Sequence, residues 1–506
     1  MTARTLMVQG TASSVGKSLI VAALCRIFRD LGFRVAPFKS QNMALNSAVT
    51  PEGHEIGRAQ AVQARAAGIE PTVHMNPILL KPETDMRAQV VLHGKPIGSM
   101  RFGEYHERRP RLVTAIEESL GVLRRSYDIV VIEGAGSPAE INLKDRDIVN
   151  GFIAELADAP VLLVGDIDRG GVFASLYGTV ALLEEAERAR IAGFVINKFR
   201  GDYDILAPAL PMIESRLGLP VLGVVPFLRD LRLPEEDGMA LSEWRSAAAA
   251  PDRLEIAVVA LPHLSNFDDF LPLQRDSRMQ VRWVETPRDI LRADLAVLPG
   301  TKSTVRDLEW LRGAGLDRAI RARADLGMPV LGICGGCQML GTRIEDPHRV
   351  ETQAVHTEGL GLLPLRTRFE TTKVTERVRA TTAASCLSPA GVEIDGYFIH
   401  MGRVTRDAGN PAFERDGTGE GSVADSGVVI GTMIHGMFEA REMVDSLARS
   451  LFERAGLPDA TPARLDPEGE YDRLARTVRD SLDFERVIEI LGAATDPSDP
   501  DREATP

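Results

Sequence analysis

A glycine- and serine-rich loop between a strand and a helix is the feature that most limits what this chain can fold into. The loop spans Gly10–Ser18, after the apolar run Thr5–Val8 and before the amphipathic stretch Leu19–Leu31. Strand, small-residue loop, Gly-Lys-Ser and helix in that order are typical of a phosphate-binding loop, because backbone N–H groups at the start of the helix face an anion. The pattern therefore predicts a site for the phosphates of a nucleotide.

The residues of this loop are expected to divide between phosphate and metal. Lys17 is predicted to reach the β- and γ-phosphates, and the Ser18 hydroxyl to hold Mg²⁺. The usual motif has glycine where this chain has Thr11, and the glycine lies one residue earlier, at Gly10. We interpret the loop as a variant phosphate-binding loop, with an ordinary glycine-rich turn as the alternative. The predicted nucleotide contacts are Gly10, Thr11, Ser14, Gly16, Lys17 and Ser18.

The composition limits the kinds of partner that the chain can have. Of its 506 residues, 44% are hydrophobic, and the formal net charge is −13. An acidic chain of this kind is a poor partner for nucleic acid or for a membrane surface, so we expect neither. The four cysteines are too few and too scattered for a disulfide framework, which favours a reducing, cytoplasmic location.

Two loops that accompany predicted strands carry candidate substrate contacts. The run Phe33–Phe38 is predicted to be the second strand, and it leads into a loop rich in amides and hydroxyls. Ligands of open α/β sheets bind where the strands end at their carboxyl edge. A later loop and short strand, Asn76–Pro82, adds cationic candidates, although a loop cation is more often a solvated surface charge. The candidate substrate contacts are Lys39, Gln41, Asn42, Lys81 and Arg87.

Another predicted strand ends in a carboxylate. The apolar run Tyr127–Ile132 leads into Glu133 and a glycine-rich turn. An acid of the Walker B type would stand there, across from the phosphate loop, to hold Mg²⁺ or its water, whereas a carboxylate that caps the next helix is the alternative. Further strand patterns alternate with helical stretches, which predicts right-handed βαβ units and a mostly parallel sheet. One of these strands carries Asn197 near its exit, a candidate contact for the nucleotide base.

The second half of the chain starts a new α/β pattern after an alanine-rich stretch at 242–253, which we interpret as a linker. In Pro329–Gly341 a buried strand runs into a cysteine flanked by glycine and then into a helix. Glycine permits a strained turn that exposes the thiol of Cys334, and the start of the helix favours the thiolate and supplies N–H donors for an oxyanion. Cys334 is thus the predicted nucleophile. Cys337 lies one helical turn further on and is expected to pack, with a redox pair as the minor alternative.

A cysteine nucleophile needs a base, and two histidines are candidates. His400 and His435 both follow apolar stretches, and His435 lies next to Gly436 at the end of a predicted strand. A single histidine is more often structural than catalytic. The cysteine turn in the same half of the chain favours one of these two as the base.

These motifs together resemble the cobyric acid synthase family, glutamine-dependent enzymes that amidate corrin side chains in cobalamin biosynthesis. The resemblance spans nearly the whole chain, and the set of motifs is highly specific. The N-terminal half is similar to the P-loop domain of the dethiobiotin synthetase type, with a mostly parallel sheet, and the C-terminal half to the class I glutamine amidotransferase α/β domain. In chain order the motifs are PFKSQNMALNS, MNPILLKP, EGAGSPAEINL, DIDRGGVFA, INKFRGD, LPEEDGM, PHLSNFDDF, LPGTKST, GICGGCQMLG, IHMGR and IHGMFE.

The resemblance implies roles for the candidate residues. It makes Cys334 the glutaminase nucleophile and His435 its base, and it places ATP and Mg²⁺ at the Gly10–Ser18 loop with Glu133 near the metal. It also implies glutamine and a corrinoid, adenosylcobyrinic acid a,c-diamide, as substrates, with amidation at the b, d, e and g carboxylates. Backbone N–H groups near Gly300 and Gly335 are expected to hold the oxyanion. The oligomeric state stays open, a homo-oligomer included.

The chain departs from the wider class I pattern at one point. Those domains usually carry a glutamate two residues after the histidine, which orients it, but here that position is Met437, and Glu439 is a weak substitute. Two other functions stay open: the sister enzyme that makes cobyrinic acid a,c-diamide, and a switch ATPase of the partitioning type. The second class carries a lysine just inside the phosphate loop and lacks a cysteine turn, unlike this chain.

The domain limits follow from these patterns. We predict an ATP-binding amide synthetase domain over residues 1–245 and a glutamine amidotransferase domain over 252–455. A helical C-terminal extension is predicted over 456–493, and the polar composition of 494–506 predicts a disordered tail.

Overall fold

The computed structural model describes residues 2–84, 86–229, 231–234, 253–458, 461–463 and 466–492. The chain forms two compact units. The nucleotide unit, as we name it from its loop, contains Met1–Ala44, Glu55–Glu236 and Asp466–Pro506, and the cysteine unit contains Leu45–His54 and Asp237–Leu465. Most of the predicted linker at 242–253 and the whole predicted tail at 494–506 lie outside the described residues.

The elements alternate between strands and helices along most of the chain. The strands are β1 (Arg4–Gly10), β2 (Val35–Phe38), β3 (Gln41–Met43), β4 (Ser47–Val49), β5 (Glu55–Gly57), β6 (Ile78–Thr84), β7 (Arg87–Leu92), β8 (Lys95–Arg101), β9 (Ile129–Glu133), β10 (Val161–Asp166), β11 (Ile191–Phe199), β12 (Val221–Pro226), β13 (Leu254–Val259), β14 (Met279–Val284), β15 (Leu295–Leu298), β16 (Val330–Ile333), β17 (Arg343–Glu345), β18 (His356–Glu358), β19 (Leu365–Thr382), β20 (Glu393–Arg406), β21 (Phe413–Arg415), β22 (Thr418–Glu420), β23 (Ser422–Val423) and β24 (Val429–Thr432). The α-helices are Lys17–Asp30, Arg58–Ala66, Phe102–Glu107, Arg109–Ser126, Gly151–Ala157, Val172–Leu182, Glu185–Arg188, Tyr203–Leu206, Ala209–Leu217, Leu271–Arg275, Pro287–Arg292, Thr304–Gly313, Leu316–Asp325, Gly335–Leu340, Arg441–Ala455, Pro467–Ser481 and Phe484–Leu491.

A six-stranded sheet forms the centre of the nucleotide unit. Its strands lie in the order β12-β11-β10-β1-β9-β2, and every neighbouring pair is parallel. The inner strands β9 and β10 are buried at every residue, as expected of parallel strands that are covered on both faces. The order differs from the chain order because each parallel connection crosses over through a helix. The parallel sheet predicted for this half of the chain is present.

A smaller sheet in the same unit contains the loops that hold the predicted substrate contacts. Its strands lie in the order β3-β6-β7-β8. β6, β7 and β8 pair antiparallel, whereas β3 pairs parallel with β6. The sheet therefore joins the loop after β2 to the Asn76–Pro82 segment.

The last two described helices pack on the nucleotide unit. Tyr471, on helix Pro467–Ser481, lies in the same apolar core as Leu6 of β1. On the neighbouring helix Lys17–Asp30, the buried guanidinium of Arg26 donates to Asp472 at 2.9 Å. Sequence reasoning treated this stretch as an extension that follows the C-terminal domain, but its buried face belongs to the core of the N-terminal one.

The main sheet of the cysteine unit lies in the order β14-β13-β15-β16-β24-β23. The first five strands are parallel, and β23 closes the edge antiparallel to β24. Leu298 at the end of β15 pairs with Gly332, and Ile333 at the end of β16 pairs with Thr432. This register brings the chain after β15, after β16 and after β24 to one edge of the sheet.

A second sheet of the cysteine unit is built on one long antiparallel hairpin. β19 and β20 pair from Leu365 with Arg406 to Thr381 with Glu393, with an irregularity between Phe369 and Val374. β17 and β21 flank β19, and β18 and β22 form the edges. No helix in the described ranges has the length and apolar character needed to cross a membrane.

Candidate active sites

The phosphate loop follows β1 directly, and a lysine side chain donates hydrogen bonds to its backbone. The helix after it starts at Lys17, and Gly16 before it has φ 97°, a left-handed conformation that favours glycine. The Lys17 ammonium is buried and donates to the carbonyl oxygens of Ala12 and Gly136, each at 3.0 Å. A Cβ on Gly10 would lie 2.5 Å from Val15 Cγ2, which accounts for glycine at that position.

Asn197 lies inside β11 and contacts the phosphate loop. Its Nδ2 donates to the carbonyl oxygen of Val15 at 2.8 Å, and a Cβ on Gly16 would lie 2.2 Å from the same nitrogen. The adjacent Lys198 Nζ donates to the Ser14 carbonyl oxygen at 2.6 Å. These contacts hold the loop in shape, so the suggested contact between Asn197 and a nucleotide base stays a prediction.

Glu133 ends β9 and is surrounded by donors, an arrangement we name the Glu133 cluster. Its Oε1 accepts from the Ser18 hydroxyl at 2.8 Å and from Lys39 Nζ at 2.9 Å, and its Oε2 accepts from Gln63 Nε2 at 2.5 Å. Burial acts to raise the pKa of this carboxyl, but the Lys39 charge and the three donors outweigh it and lower the pKa. Glu133 is therefore an ionised carboxylate next to the phosphate loop.

The five predicted substrate contacts lie in different surroundings. Lys39 belongs to the Glu133 cluster, and Lys81 is buried in an ion pair with Glu55 at 2.8 Å. Asn42 Nδ2 donates to Gln60 Oε1 at 3.2 Å, and Gln41 accepts from the Tyr105 hydroxyl. Arg87 is exposed. Their role as contacts for a substrate stays a prediction, with Gln41 and Arg87 the more accessible members.

The cysteine turn has the strained backbone that its sequence predicts. Cys334 has φ 51° and ψ −108° between β16 and helix Gly335–Leu340, an unusual conformation for a residue with a side chain. A Cβ on Gly336 would lie 2.0 Å from Leu298 O, so only glycine fits there. Cys337 is completely buried, and burial raises the pKa of its thiol well above the usual value. A Cβ on Gly431 would lie 2.8 Å from Cys337 Sγ, so Cys337 fills the space beside that glycine as a packing residue would.

His435 follows β24 and forms a buried pair with Asp269. His435 Nδ1 and Asp269 Oδ2 are 2.6 Å apart, and the Gly436 N–H donates to Asp269 Oδ1 at 2.9 Å. Because Asp269 occupies Nδ1, Nε2 is the ring nitrogen left for the hydrogen bond between His435 and the Cys334 side chain. The ring of Tyr397 stacks on the imidazole with centroids 5.3 Å apart.

The electrostatics of this group favour a charged imidazole. Burial acts to lower the pKa of His435, but the carboxylate of Asp269 and the side chain of Cys334 outweigh it and raise the pKa to about 10. The other candidate base, His400, is different. Burial lowers its pKa to about 4, and its Nδ1 lies 2.7 Å from the Gly402 carbonyl oxygen.

Asp269 is the residue that sequence reasoning missed. It lies 166 positions before His435, in the PHLSNFDDF motif, whose sequence alone assigns it no role. The carboxylate that orients His435 therefore comes from this motif and not from Glu439. The signal available in the sequence was a pair of adjacent acids between two aromatic residues, Phe267 and Phe270. Both aromatic side chains are buried in the structure.

The two backbone positions suggested for an oxyanion lie beside the same group. A Cβ on Gly300 would be 2.9 Å from His435 Cε1, and one on Gly335 would be 3.1 Å from the Thr301 nitrogen. Neither the Gly300 nor the Gly335 N–H donates a hydrogen bond to another residue of the described ranges. Both are thus available to a ligand.

A buried aspartate braces the loop that carries Gly300. Asp307 Oδ2 accepts from the Thr301 hydroxyl at 2.5 Å, and its Oδ1 lies 2.7 Å from His263 Nδ1. The His263 carbonyl oxygen accepts from the Lys302 N–H at 3.0 Å, and the Gly300 carbonyl oxygen accepts from the Ser265 N–H at 3.0 Å. The chain around Gly300 is therefore held from both sides.

Comparisons with known proteins identify two domain families in the chain. Residues 6–241 match the family described as the CobQ/CobB/MinD/ParA nucleotide binding domain, and residues 255–443 match the CobB/CobQ-like glutamine amidotransferase domain. The predicted fold class, a P-loop domain with a parallel sheet followed by an amidotransferase α/β domain, is confirmed. The prediction of a nucleotide-binding domain is confirmed with it.

Several proteins that match this chain over nearly their whole length share one name. The cobyric acid synthase of Sorangium cellulosum (strain So ce56) is 57% identical, over 97% of this chain and 99% of that one. Those of Dehalococcoides mccartyi (strain CBDB1) and Moorella thermoacetica (strain ATCC 39073 / JCM 9320) are 49% and 48% identical over 97% of this chain, and over 99% and 98% of their own lengths. With two matching domains and near-complete coverage at this identity, the chain belongs to the cobyric acid synthase family.

Proposed function

We propose that this chain uses ATP and glutamine to amidate the b, d, e and g carboxylates of adenosylcobyrinic acid a,c-diamide. The observation that carries the proposal is the group formed by Cys334, His435 and Asp269, because a strained cysteine beside a charged imidazole is suited to glutamine hydrolysis. The phosphate loop and Glu133 supply the second half of the chemistry.

The first half-reaction releases ammonia. The Cys334 sulfur attacks the side-chain amide carbon of glutamine, and the imidazolium of His435 gives its proton to the departing nitrogen as the C–N bond breaks. Water then hydrolyses the thioester to glutamate, with neutral His435 as the base. Asp269 keeps the ring oriented through Nδ1 and stabilises its charged form.

The negative charge that develops on the glutamine amide oxygen needs donors. The N–H groups of Gly300 and Gly335 flank the reacting group and are the proposed donors. In this proposal Asp307 positions Gly300 through Thr301 and does not touch the substrate.

The second half-reaction activates the acceptor. A carboxylate does not react with ammonia at neutral pH because oxide is a very poor leaving group. Attack of the carboxylate oxygen on the γ-phosphorus of ATP gives an acyl phosphate and ADP, and ammonia then displaces phosphate to form the amide. Lys17 and the N–H groups of the loop bind the phosphates.

The residues beside the loop suit a divalent cation. The Ser18 hydroxyl and the ionised Glu133 carboxylate are the hard oxygen ligands that Mg²⁺ prefers, and we propose that these two residues hold it. When bound, the cation would neutralise charge on the β- and γ-phosphates during transfer. In the described ranges no three His, Cys, Asp or Glu side chains group into a metal site.

The test is to supply each corrin intermediate with ATP and either glutamine or ammonium chloride, and to read the product by mass. We expect adenosylcobyrinic acid a,c-diamide to gain four amides with either donor. Amidation of cobyrinic acid at its a and c carboxylates instead would identify the sister activity. ATP hydrolysis without amide formation from any corrinoid would favour a switch ATPase.

A further inference from the structure

One oxygen beside Glu133 has no hydrogen-bond donor in the part of the chain that the structure describes. Gln63 lies on helix Arg58–Ala66 with no exposed surface, and its Nε2 donates to Glu133 Oε2 at 2.5 Å. Its Oε1 is buried and has no partner among the described residues. A buried carbonyl oxygen without a donor is unfavourable, so its presence in the Glu133 cluster calls for a physical reason.

Glu133 is surrounded by hydrogen-bond donors that a bound cation would partly replace. Three donors, from Ser18, Lys39 and Gln63, satisfy its two oxygens. A cation bound to Glu133 would take over part of that role, and the Gln63 amide would no longer be needed as a donor. Rotation of the amide by about 180° exchanges Nε2 and Oε1 and turns the unpaired oxygen toward the cation.

We propose that Gln63 Oε1 is a ligand of the divalent cation that Ser18 and Glu133 hold. This inference rests on the proposed function, because it adds a ligand to the cation site proposed there. A hydroxyl, a carboxylate and an amide carbonyl are all oxygen donors of the kind that Mg²⁺ accepts beside nucleotide phosphates.

A competing role for Gln63 is to hold Glu133 in place through Nε2 alone. Two substitutions separate the roles. Gln63→Met removes both the donor and the oxygen at similar length. Gln63→Glu keeps an oxygen ligand and adds charge, but it places a second carboxylate against Glu133, which is tolerable only with a cation between them.

The experiment measures nucleotide binding by the full-length chain and needs no turnover. A fluorescent ATP analogue is bound at saturating MgCl₂, at a series of lower MgCl₂ concentrations, and in EDTA. The matched control is Gln60→Met, on the same helix and equally buried, with Oε1 bonded to Asn42. Binding in EDTA reports whether each variant keeps a folded phosphate loop.

We expect Gln63→Met to raise the Mg²⁺ concentration for half-maximal tightening about tenfold, as for loss of one supporting group in a metal site. Gln63→Glu should need no more Mg²⁺ than the wild type, and Gln60→Met should match the wild type. The inference is overturned if Gln63→Glu is impaired as much as Gln63→Met, or if both behave as the wild type does. If Gln63→Met does not fold, Gln63→Glu alone decides between the roles.

The same data separate this inference from the proposed function. Suppose that Mg²⁺ tightens nucleotide binding in the wild type and in both Gln63 variants but not in Glu133→Gln. That result would overturn only the role of Gln63 as a ligand. Absence of any Mg²⁺ effect in the wild type would overturn both the proposed cation site and the role of Gln63 in it.

Discussion

Two junctions of similar design, a parallel strand followed by a turn and a helix, differ in the length of the turn. Between β1 and its helix the chain uses a loop of small residues, and the left-handed position is filled by Gly16 at φ 97°. Between β16 and its helix one residue makes the turn, and Cys334 itself takes φ 51°. The first junction exposes backbone N–H groups, whereas the second projects a side chain.

The difference follows the chemistry that each turn serves. A phosphate is large and is bound by several backbone donors, so a wide loop in front of a long helix suits it. A nucleophile must be one atom at a defined point, so a tight and strained turn suits it. Each half of the proposed reaction can therefore be removed while the other is left intact, and the variants below use that independence.

The largest effect is expected from Cys334→Ser. Serine is similar in size but a far weaker nucleophile here, so amidation with glutamine should fall about 10⁵-fold. Amidation with ammonium chloride at alkaline pH, where free ammonia exists, should stay near the wild-type rate because the phosphate loop is unchanged. Product mass with each donor in turn measures both.

The control for this variant is Cys337→Ser, one helical turn away and completely buried. It should keep glutamine as a donor. If Cys337→Ser loses glutamine use while Cys334→Ser keeps it, the assignment of the nucleophile is wrong.

The next largest effect is expected from Asp269→Asn, which preserves shape but removes the charge beside His435 Nδ1. The turnover number for glutamine hydrolysis should fall about 10⁴-fold, the size known for the aspartate of serine-protease triads. His400→Ala should be milder, because burial keeps His400 neutral with a pKa of about 4. Glutamate release measures both, and equal losses would argue against Asp269 as the positioning residue.

Asp269→Asn should also change how stability depends on pH. The pKa of His435 is raised from 6.5 to about 10 in the folded chain. A raised pKa stabilises the fold fully below the unfolded value, and this contribution is lost as the pH rises through the folded value. Urea denaturation of wild type and variant between pH 6.5 and about pH 10 should show a difference in unfolding free energy that shrinks with rising pH. A difference that grows would contradict the raised pKa.

Lys17→Ala should affect the opposite half of the chain. Amidation should fall about 10³-fold with either donor, because a principal charge on the transferred phosphate is lost and activation precedes nitrogen transfer. Glutamine hydrolysis, measured separately as glutamate release, should persist. Lys95→Ala, at an exposed position, is the control and should resemble the wild type. Normal product from ammonia in Lys17→Ala would contradict the phosphate-loop assignment.

The smallest effect is expected from Asp307→Asn, which weakens the brace on the Gly300 loop without touching the reacting atoms. Glutamine hydrolysis should slow about tenfold, since small displacements of a catalytic donor carry costs of this order or more. The rate of Cys334 alkylation by iodoacetamide should stay unchanged, because His435 and Asp269 are intact. A parallel loss of alkylation rate would mean that Asp307 supports the cysteine turn itself.

The candidate sites could be predicted where they are local in the chain. The phosphate loop and the cysteine turn are each a short run of small residues between a strand and a helix, and that spacing is visible in the sequence. Asp269 could not be assigned to His435 in this way, since 166 residues separate them. The burial of Lys81 against Glu55 was equally hidden, because a lysine in a loop pattern is usually exposed.

The division of the chain into compact units also could not be predicted from the sequence. Sequence patterns placed Leu45–His54 in the first domain and the final helices after the second, but the compact units exchange these segments. Asn46 Oδ1 accepts from the Asn266 N–H at 2.7 Å, a contact that ties the first segment to the cysteine unit. Contacts of this range leave no periodic trace in the sequence.

The sequence by itself determined the alternation of strands and helices, the two functional turns and the family, because each depends on residues close together in the chain. Only the tertiary structure decided which side chains meet: Asp269 with His435, and Gln63 with Glu133. The physical reason is strand order. In each main sheet some neighbouring strands are distant in the chain, such as β1 and β9 or β16 and β24. Groups that meet at the carboxyl edge are therefore decided by the order of the strands in the sheet and not by spacing in the sequence.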